Sequence, residues 1–339
     1  MHSSPLRSTL STLKATLLGL SLTSLALLAP TATHAEPVKF KIATVAPDGT
    51  PWSVLLKQFK RAVSKKTNKE LAARVYLNGI KGDEQSIVRQ VYQGSLQMGG
   101  VSTAALATIV SDMDILELPY AFKTPQEADK VLDEVRPLVQ QLLAEKGMTL
   151  LMYSENGYRS MATKEKCVRT PADLKAVKMR SQESSVHVET YRALGASPVT
   201  IPVSEVLSSL QTGVVSGFDN TAIITQALGW NQAIKYFTTT QHIYQPALIV
   251  MNKKWFESLS PEQQEAMKSE GAKLEAKGRK MVRQLAEPLK ANFKQMGVEV
   301  CELTAAERAA FKAATKSVWD KREASASELG KQLIKALRK

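Results

Sequence analysis

Residues 172–220 constrain this chain more than any other stretch. They run from Ala172 to Asn220 as a short buried-looking strand, a helix, a second short strand, a second helix, and a closing segment Gly217-Phe218-Asp219-Asn220. The first strand ends in a single cation, Arg180. A strand–helix alternation of this kind builds a mostly parallel sheet covered by helices, an α/β fold. An arginine at the end of such a strand, facing an amide side chain, suits one task well. Its guanidinium presents a planar fork of donors that matches the two oxygens of a carboxylate.

The same alternation extends through the rest of the chain. Val38–Val45 reads as a strand, with Phe40 and Ile42 alternating against Lys39 and Lys41. A helix is expected from about Pro51 to Thr67, a strand over Ala73–Leu77, a helix over Asp83–Gln93 and a short buried strand over Met98–Val101. Thr124-Pro125-Gln126-Glu127, Thr170-Pro171-Ala172-Asp173 and Ser260-Pro261-Glu262-Gln263 place a hydroxyl at the helix N-cap, proline at the first position, and an acid or amide three residues after the cap. Thr304-Ala305-Ala306-Glu307 is a fourth such start without the proline. The helix begun at Ser260 is expected to reach about Met296, bent near Gly271, Gly278 or Pro288, and to lie across two lobes. Thr149–Tyr153 and Ala247–Met251 read as strands crossing between lobes. The expected organisation is residues 1–35 as a signal peptide, 36–153 with 247–285 as lobe I, and 154–246 with 286–339 as lobe II. Two lobes joined this way make a hinge and a cleft.

The signal peptide rests on three features. Arg7 and Lys14 give a positive start, Leu17–Ala29 an apolar middle, and Thr33-His34-Ala35 a small-residue cleavage site. The apolar run is short for a membrane span. The formal net charge is +13, and the leader carries two of those positive charges and no acid. The remaining basic residues are spread along helices, with Lys65-Lys66 the densest run, so nucleic-acid binding is not expected. Cys167 and Cys301 would either form a disulfide in an oxidising compartment or stay as two separate buried thiols.

Catalytic and cofactor signatures are missing. Past residue 35 there are two histidines, His187 and His242, neither at metal-ligand spacing from another ligand. No Walker A loop, G-x-S-x-G elbow or G-x-G-x-x-G occurs, and no cofactor is expected. Gly99-Gly100 could form an anion nest or simply allow close packing. The acid pairs Asp83/Glu84 and Asp112/Asp114 read as turn and helix-start acids. The expectation is a protein that binds a small organic acid and does no chemistry on it. A secreted hydrolase is the competing reading.

These residues also resemble a known family. The chain is similar, over nearly all of its length past residue 35, to the solute-receptor subunits of tripartite ATP-independent periplasmic (TRAP) transporters, dicarboxylate-receptor type. The resemblance runs from Ile42-Ala43-Thr44-Val45-Ala46-Pro47 through Gly82-Asp83-Glu84, Gln90–Met98 and Leu118–Phe122. It is most specific at Asp173-Leu174-Lys175, Lys178-Met179-Arg180, Leu194–Pro198, Ser204-Glu205-Val206 and Leu210–Val215. It implies a two-lobed periplasmic binding protein that closes on an organic acid and delivers it to TRAP membrane permease subunits. An ABC-type importer would be the alternative partner. By the resemblance the principal carboxylate arginine is Arg180, a second arginine is Arg159, and the amide is Asn220. Trp52 sits in a loop that faces the cleft in relatives. The chain departs from many relatives at Val203 and Leu207, where they carry aromatic residues, and at Asp219, where they carry glutamate. Loss of an aromatic wall opens room beside the carboxylate. The expected ligand is a monocarboxylate with an apolar body against Trp52, Phe218 and Val203, rather than a C4-dicarboxylate or a sialic-acid-like molecule.

Overall fold

A computed structural model describes residues 36–339; the expected signal peptide lies outside the described residues. Nine strands form one continuous sheet: β1 (Val38–Thr44), β2 (Leu71–Tyr76), β3 (Met98–Ser102), β4 (Met148–Thr163), β5 (Lys178–Ser181), β6 (Ser197–Thr200), β7 (Gly217–Asn220), β8 (Tyr236–Asn252) and β9 (Glu299–Cys301). The order is β2-β1-β3-β8-β4-β7-β5-β6, with β9 also on β8. In one half, β1 lies parallel to both β2 and β3. In the other, β5 lies parallel to both β6 and β7.

The two halves are joined by β4 and β8, which pair antiparallel along almost their whole length. The expected crossing strands are therefore longer than hydrophobic runs alone suggest. Each continues past its apolar core into polar residues, Ser154–Ser160 on β4 and Tyr236–Gln245 on β8. Their pairing slips register at Leu150/Met152, Glu155/Gly157 and Arg159/Met161. The first two are bulges of one extra residue on β4, which bend the strand and re-aim the side chains after them; at the third, β8 runs from Ile243 to Thr238 against two residues of β4.

Apolar alternation explains the packing. Phe40 and Ile42 of β1 meet Leu55, Leu56 and Phe59 of the helix Pro51–Lys66 on one face of the first half. Ala43 and Val101 face the opposite side, with Ile87, Val88 and Val91. In the second half, Ala162, Phe218 and Phe237 pack with Trp230 and Leu210 on one face, and Met161 and Met179 with Tyr191 and Leu194 on the other. Gly99 and Gly100 are packing glycines. A Cβ on Gly99 would stand 3.0 Å from Ile87, and one on Gly100 3.1 Å from Ile249.

The long helix spans Pro261–Gln295, started by a capping box between Ser260 and Gln263 and carrying Pro288 inside it. At 35 residues it is about 50 Å long. Its Met267 and Leu274 belong to the core of the first half and its Phe293 to that of the second, so it ties the halves together. Gly278 permits close approach, since a Cβ there would lie 3.1 Å from Leu55. The start at Thr170 makes its capping box but yields a single 3-10 turn, Pro171–Leu174, because the chain turns at Ala176 (φ 58°) into β5. The last helix, Glu328–Leu337, differs from the expected grouping of 286–339: its Leu333, Ile334 and Leu337 pack into the core of the first half.

Cys167 and Cys301 form a disulfide with Cα atoms 5.9 Å apart. It joins the segment after β4 to β9. A loop of this size, with the cysteines 134 positions apart in sequence, restricts the unfolded chain strongly. Replacing both cysteines by serine is expected to cost about 2–5 kcal/mol, read as a lower midpoint in equilibrium urea unfolding; an unchanged midpoint would contradict this.

Candidate functional site

Where the ends of β5 and β7 meet the middle of β4 and β8 there is a cavity of about 60 Å3; one water needs roughly 10–15 Å3 on the same measure. Arg180, Arg159, Asn220, Trp52 and Val203 line it, together with Glu84, Ser102, Ser154, Asn156, Gln182 and Gln245. Five of the six expected site residues thus come together. Phe218 does not. It is fully buried, and its ring meets Trp230 edge-on with centroids 5.0 Å apart. Trp230 in turn lies under the guanidinium of Arg180, 5.7 Å from its centre. Phe218 therefore supports the floor beneath Arg180 and is not a wall. Leu207, the other departure from the aromatic pattern, packs in that same core. Phe122 is core as well, edge-on to Tyr244.

Arg180 is 2% exposed. Its Nε donates to the Ile201 carbonyl at 2.8 Å, and among the described residues neither terminal nitrogen has a protein partner. Burial, and then the positive charge of Arg159, push its pKa down to about 10, which leaves it charged at neutral pH. Of the buried arginines described, Arg159, Arg279 and Arg322 each pair with a carboxylate. Arg180 alone has none within 4.0 Å.

Arg159 is the opposite case. Its Nε meets Asp219 Oδ2 at 2.6 Å, and Nη2 donates to the Asp219 carbonyl at 2.6 Å. Nη1 donates to Gln245 Oε1 at 2.8 Å and Asn220 Oδ1 at 3.3 Å. Asp219 also accepts from Tyr191 Oη at 2.7 Å and stands 3.5 Å from His242 Nε2. Despite burial, the charge of Arg159 and these bonds hold the Asp219 carboxyl well below the usual carboxylate range. Asn220 Oδ1 is taken up by Arg159 and the Thr221 amide. Its Nδ2 remains as a donor beside Arg180.

A second buried network backs the site and escaped the sequence reading. Glu117 accepts from Thr103 Oγ1, the Ala104 amide, Gln182 Nε2 and Gln245 Nε2, with His187 Nε2 at 2.6 Å. Its partners come from four separate segments, so no local spacing announces them. Glu84 was also missed. Asp83 is the helix N-cap, accepting from the Ser86 amide at 2.7 Å. Glu84 turns instead toward the cavity, where it is partly buried, and burial raises its pKa. The opposite wall is apolar, with Val45, Trp52, Val203, Ile224, Leu228 and Leu248. Trp52 is fixed by a bond from its Nε1 to the Glu155 carbonyl at 2.8 Å. An unpaired buried cation, a free amide donor beside it and an apolar wall make a site for a small organic anion. Thr240 Oγ1 and His242 Nδ1 pair at 2.9 Å beside Asp219, and neither residue lines the cavity.

Known proteins resemble this chain along most of its length. The family described as bacterial extracellular solute-binding protein, family 7, matches residues 42–325. The C4-dicarboxylate-binding periplasmic protein of Rhodobacter capsulatus is 30% identical, with 95% of this chain and 96% of that protein aligned. The 2,3-diketo-L-gulonate-binding periplasmic protein of Escherichia coli (strain K12) is 29% identical over 82% of this chain and 84% of its own length. A TRAP periplasmic solute-binding protein from Sulfitobacter sp. NAS-14.1, solved with bound β-D-galacturonate, superposes with a TM-score of 0.85. That structure shares 27% identity and covers 89% of this chain and 99% of its own.

The buried acid-base cluster sets a pH dependence. Burial is the main cause that lowers the pKa of His242 below its ordinary 6.5. The unfolded chain therefore takes up that proton first as pH falls, so the stability is fully present above about 6.5 and is lost toward the lower native value. Asp219, lowered from 3.8, acts the same way in a second, more acidic window. Melting temperature should decline from neutral pH toward pH about 5, and His242→Gln should flatten that first decline; an identical slope in the variant would count against it.

Proposed function

The chain belongs to the bacterial extracellular solute-binding proteins of family 7, and from that premise we propose that it is a periplasmic receptor that captures a small organic acid and delivers it to TRAP-type membrane permease subunits. The observation that carries the reading is the uncompensated Arg180 in the cavity. Its two terminal nitrogens offer a parallel pair of donors to one carboxylate, and Asn220 Nδ2 offers a third. Arg159 orients Asn220 and Gln245 through its own bonds, while Asp219 balances its charge. The receptor performs no chemistry on the acid it holds.

Capture and closure follow from the architecture. Residues 36–153 with 247–285 form lobe I, and 154–246 with most of 286–339 form lobe II. Arg180, Asn220 and Val203 come from lobe II, and Trp52, Glu84 and Ser102 from lobe I. A ligand that touches both sets favours the closed form, because only there are all its contacts made. Closure also removes water from the carboxylate–guanidinium pair and so strengthens it. The apolar wall suits an acid with an apolar flank.

Arg180→Ala should weaken binding of the acid by at least about 2–5 kcal/mol, the usual loss on breaking a buried charge pair. Arg180→Lys should rescue little, since an ammonium lacks the planar fork. Titration calorimetry against the acid released on denaturing the purified protein checks both. Full affinity in the alanine variant would remove the basis for this assignment.

A further inference from the structure

His187 is buried where the two lobes meet, and it does not line the cavity. It stands on the helix Ser185–Ala193. Its Nε2 is 2.6 Å from Glu117 Oε2. Its Nδ1 is buried without a hydrogen-bond partner, 3.9 Å from Asp219 Oδ2. Glu117 belongs to lobe I, His187 and Asp219 to lobe II. Although burial opposes it, the bond from His187 holds the Glu117 carboxyl below its ordinary 4.5. An ionised oxygen at 2.6 Å needs a donor, so the neutral ring carries its hydrogen on Nε2. Nδ1 is then left as an acceptor beside a carboxylate. A proton there makes it a donor to Asp219 and turns the contact with Glu117 into an ion pair between the lobes.

The charged groups on the neighbouring elements do not supply that donor. Arg159 of β4 and Tyr191 of the same helix are already on Asp219. His242 of β8 stands 3.5 Å from Asp219 with its Nδ1 on Thr240 Oγ1. Glu189 is held by Arg192 and Lys321, and Arg322 by Asp112 and Asp114. Around the cavity, Arg159 and Arg180 are balanced by Asp219 and Glu117, and Glu84 adds to the negative side. A bound acid brings one more negative charge into a region with little water to screen it.

We infer that a proton is a second ligand of this receptor: His187 takes it from solvent onto Nδ1 as the cavity takes up the organic acid, and the imidazolium ties Glu117 of lobe I to Asp219 of lobe II. The inference rests on the receptor reading, because the acid on Arg180 supplies the charge that the proton offsets. Each ligand strengthens binding of the other by the same factor. A proton gained on binding makes affinity for the acid highest at low pH. Affinity falls as pH rises, by at most about 10-fold per pH unit for one proton.

Titration calorimetry with the acid released on denaturing the purified protein, run at one neutral pH in phosphate and in Tris, counts the protons. The two buffers differ in ionisation enthalpy, so the difference in heat gives the uptake. Wild-type protein should take up a substantial fraction of a proton per acid bound, and His187→Gln, whose amide keeps a donor for Glu117, should take up none. His242→Gln should keep the uptake. A measurement without a change at 187 guards against a variant that fails to fold. Past residue 35 the histidines are His187 and His242, so nitrogen NMR of the imidazole rings is assigned by His242→Gln, and the His187 ring should pass from neutral to imidazolium when the acid is added. No uptake in wild type, equal uptake in His187→Gln, or an unchanged His187 ring overturns the inference. Arg180→Ala separates the two levels. If it still binds the acid, the receptor site itself is misplaced. If it does not bind while wild type binds without taking up a proton, only the role of His187 fails.

Discussion

Arg180 is held almost entirely out of water on a single protein hydrogen bond, and a guanidinium in that state is costly until an anion completes it. The surroundings are arranged around that cost. Trp230 offers its π-face below the charge, a partial compensation, and Phe218 keeps Trp230 in place. Arg159 would add a second uncompensated cation nearby, but Asp219 cancels it at 2.6 Å. The tight pair lets Arg159 work as scaffold: its remaining donors fix the oxygen ends of Asn220 and Gln245 and so point the Asn220 nitrogen at the cavity. One cation is neutralised by the protein, and the other has no carboxylate within 4.0 Å among the described residues. In the proposed receptor that difference, one buried arginine paired with a carboxylate and the other not, is what favours an anion in the cavity.

How far this was legible in the sequence depends on how local each signal is. The strand at Met179-Arg180 is short and buried, and an arginine ending such a strand is conspicuous because few buried positions tolerate one. Helix starts such as Ser260-Pro261 and the long helix they open are written in adjacent residues. Phe218 was misjudged because β7 is covered on both faces. In such a strand every residue is buried, and hydrophobicity no longer says which side faces a cavity. Glu84 looked like any acid in a first helical turn, and only the position of Ser102, at the end of β3, distinguishes it. Glu117 gathers partners at 103, 104, 182, 187 and 245. The disulfide likewise joins segments that only the assembled sheet brings together. These features belong to the topology, and local spacing carries no trace of them.

The bulges on β4 decide whether the site exists at all. Ser154 and Asn156 line the cavity, and so does Arg159, yet strict strand alternation would send residues 154 and 159 to opposite faces. The pairing resolves this. Ser154 is opposite Ala247, Glu155 opposite Pro246, and then Gly157 is opposite Gln245, so Asn156 is the extra residue. Beyond it Arg159 rejoins the face of Ser154, and Gln245 and Ala247 share that face across the pair. The displaced face carries Tyr158 against Tyr244, away from the cavity. The same bulge anchors the cavity wall to the long helix. The Glu155 carbonyl holds Trp52, while its carboxylate binds Arg283 at 2.6 Å, which also grips Asp129. A movement of the Trp52 wall is therefore transmitted to β4 and to the helix that spans both halves. One inserted residue thus places the second arginine in the cavity and, at the same position, couples the wall of the cavity to the element that joins the lobes.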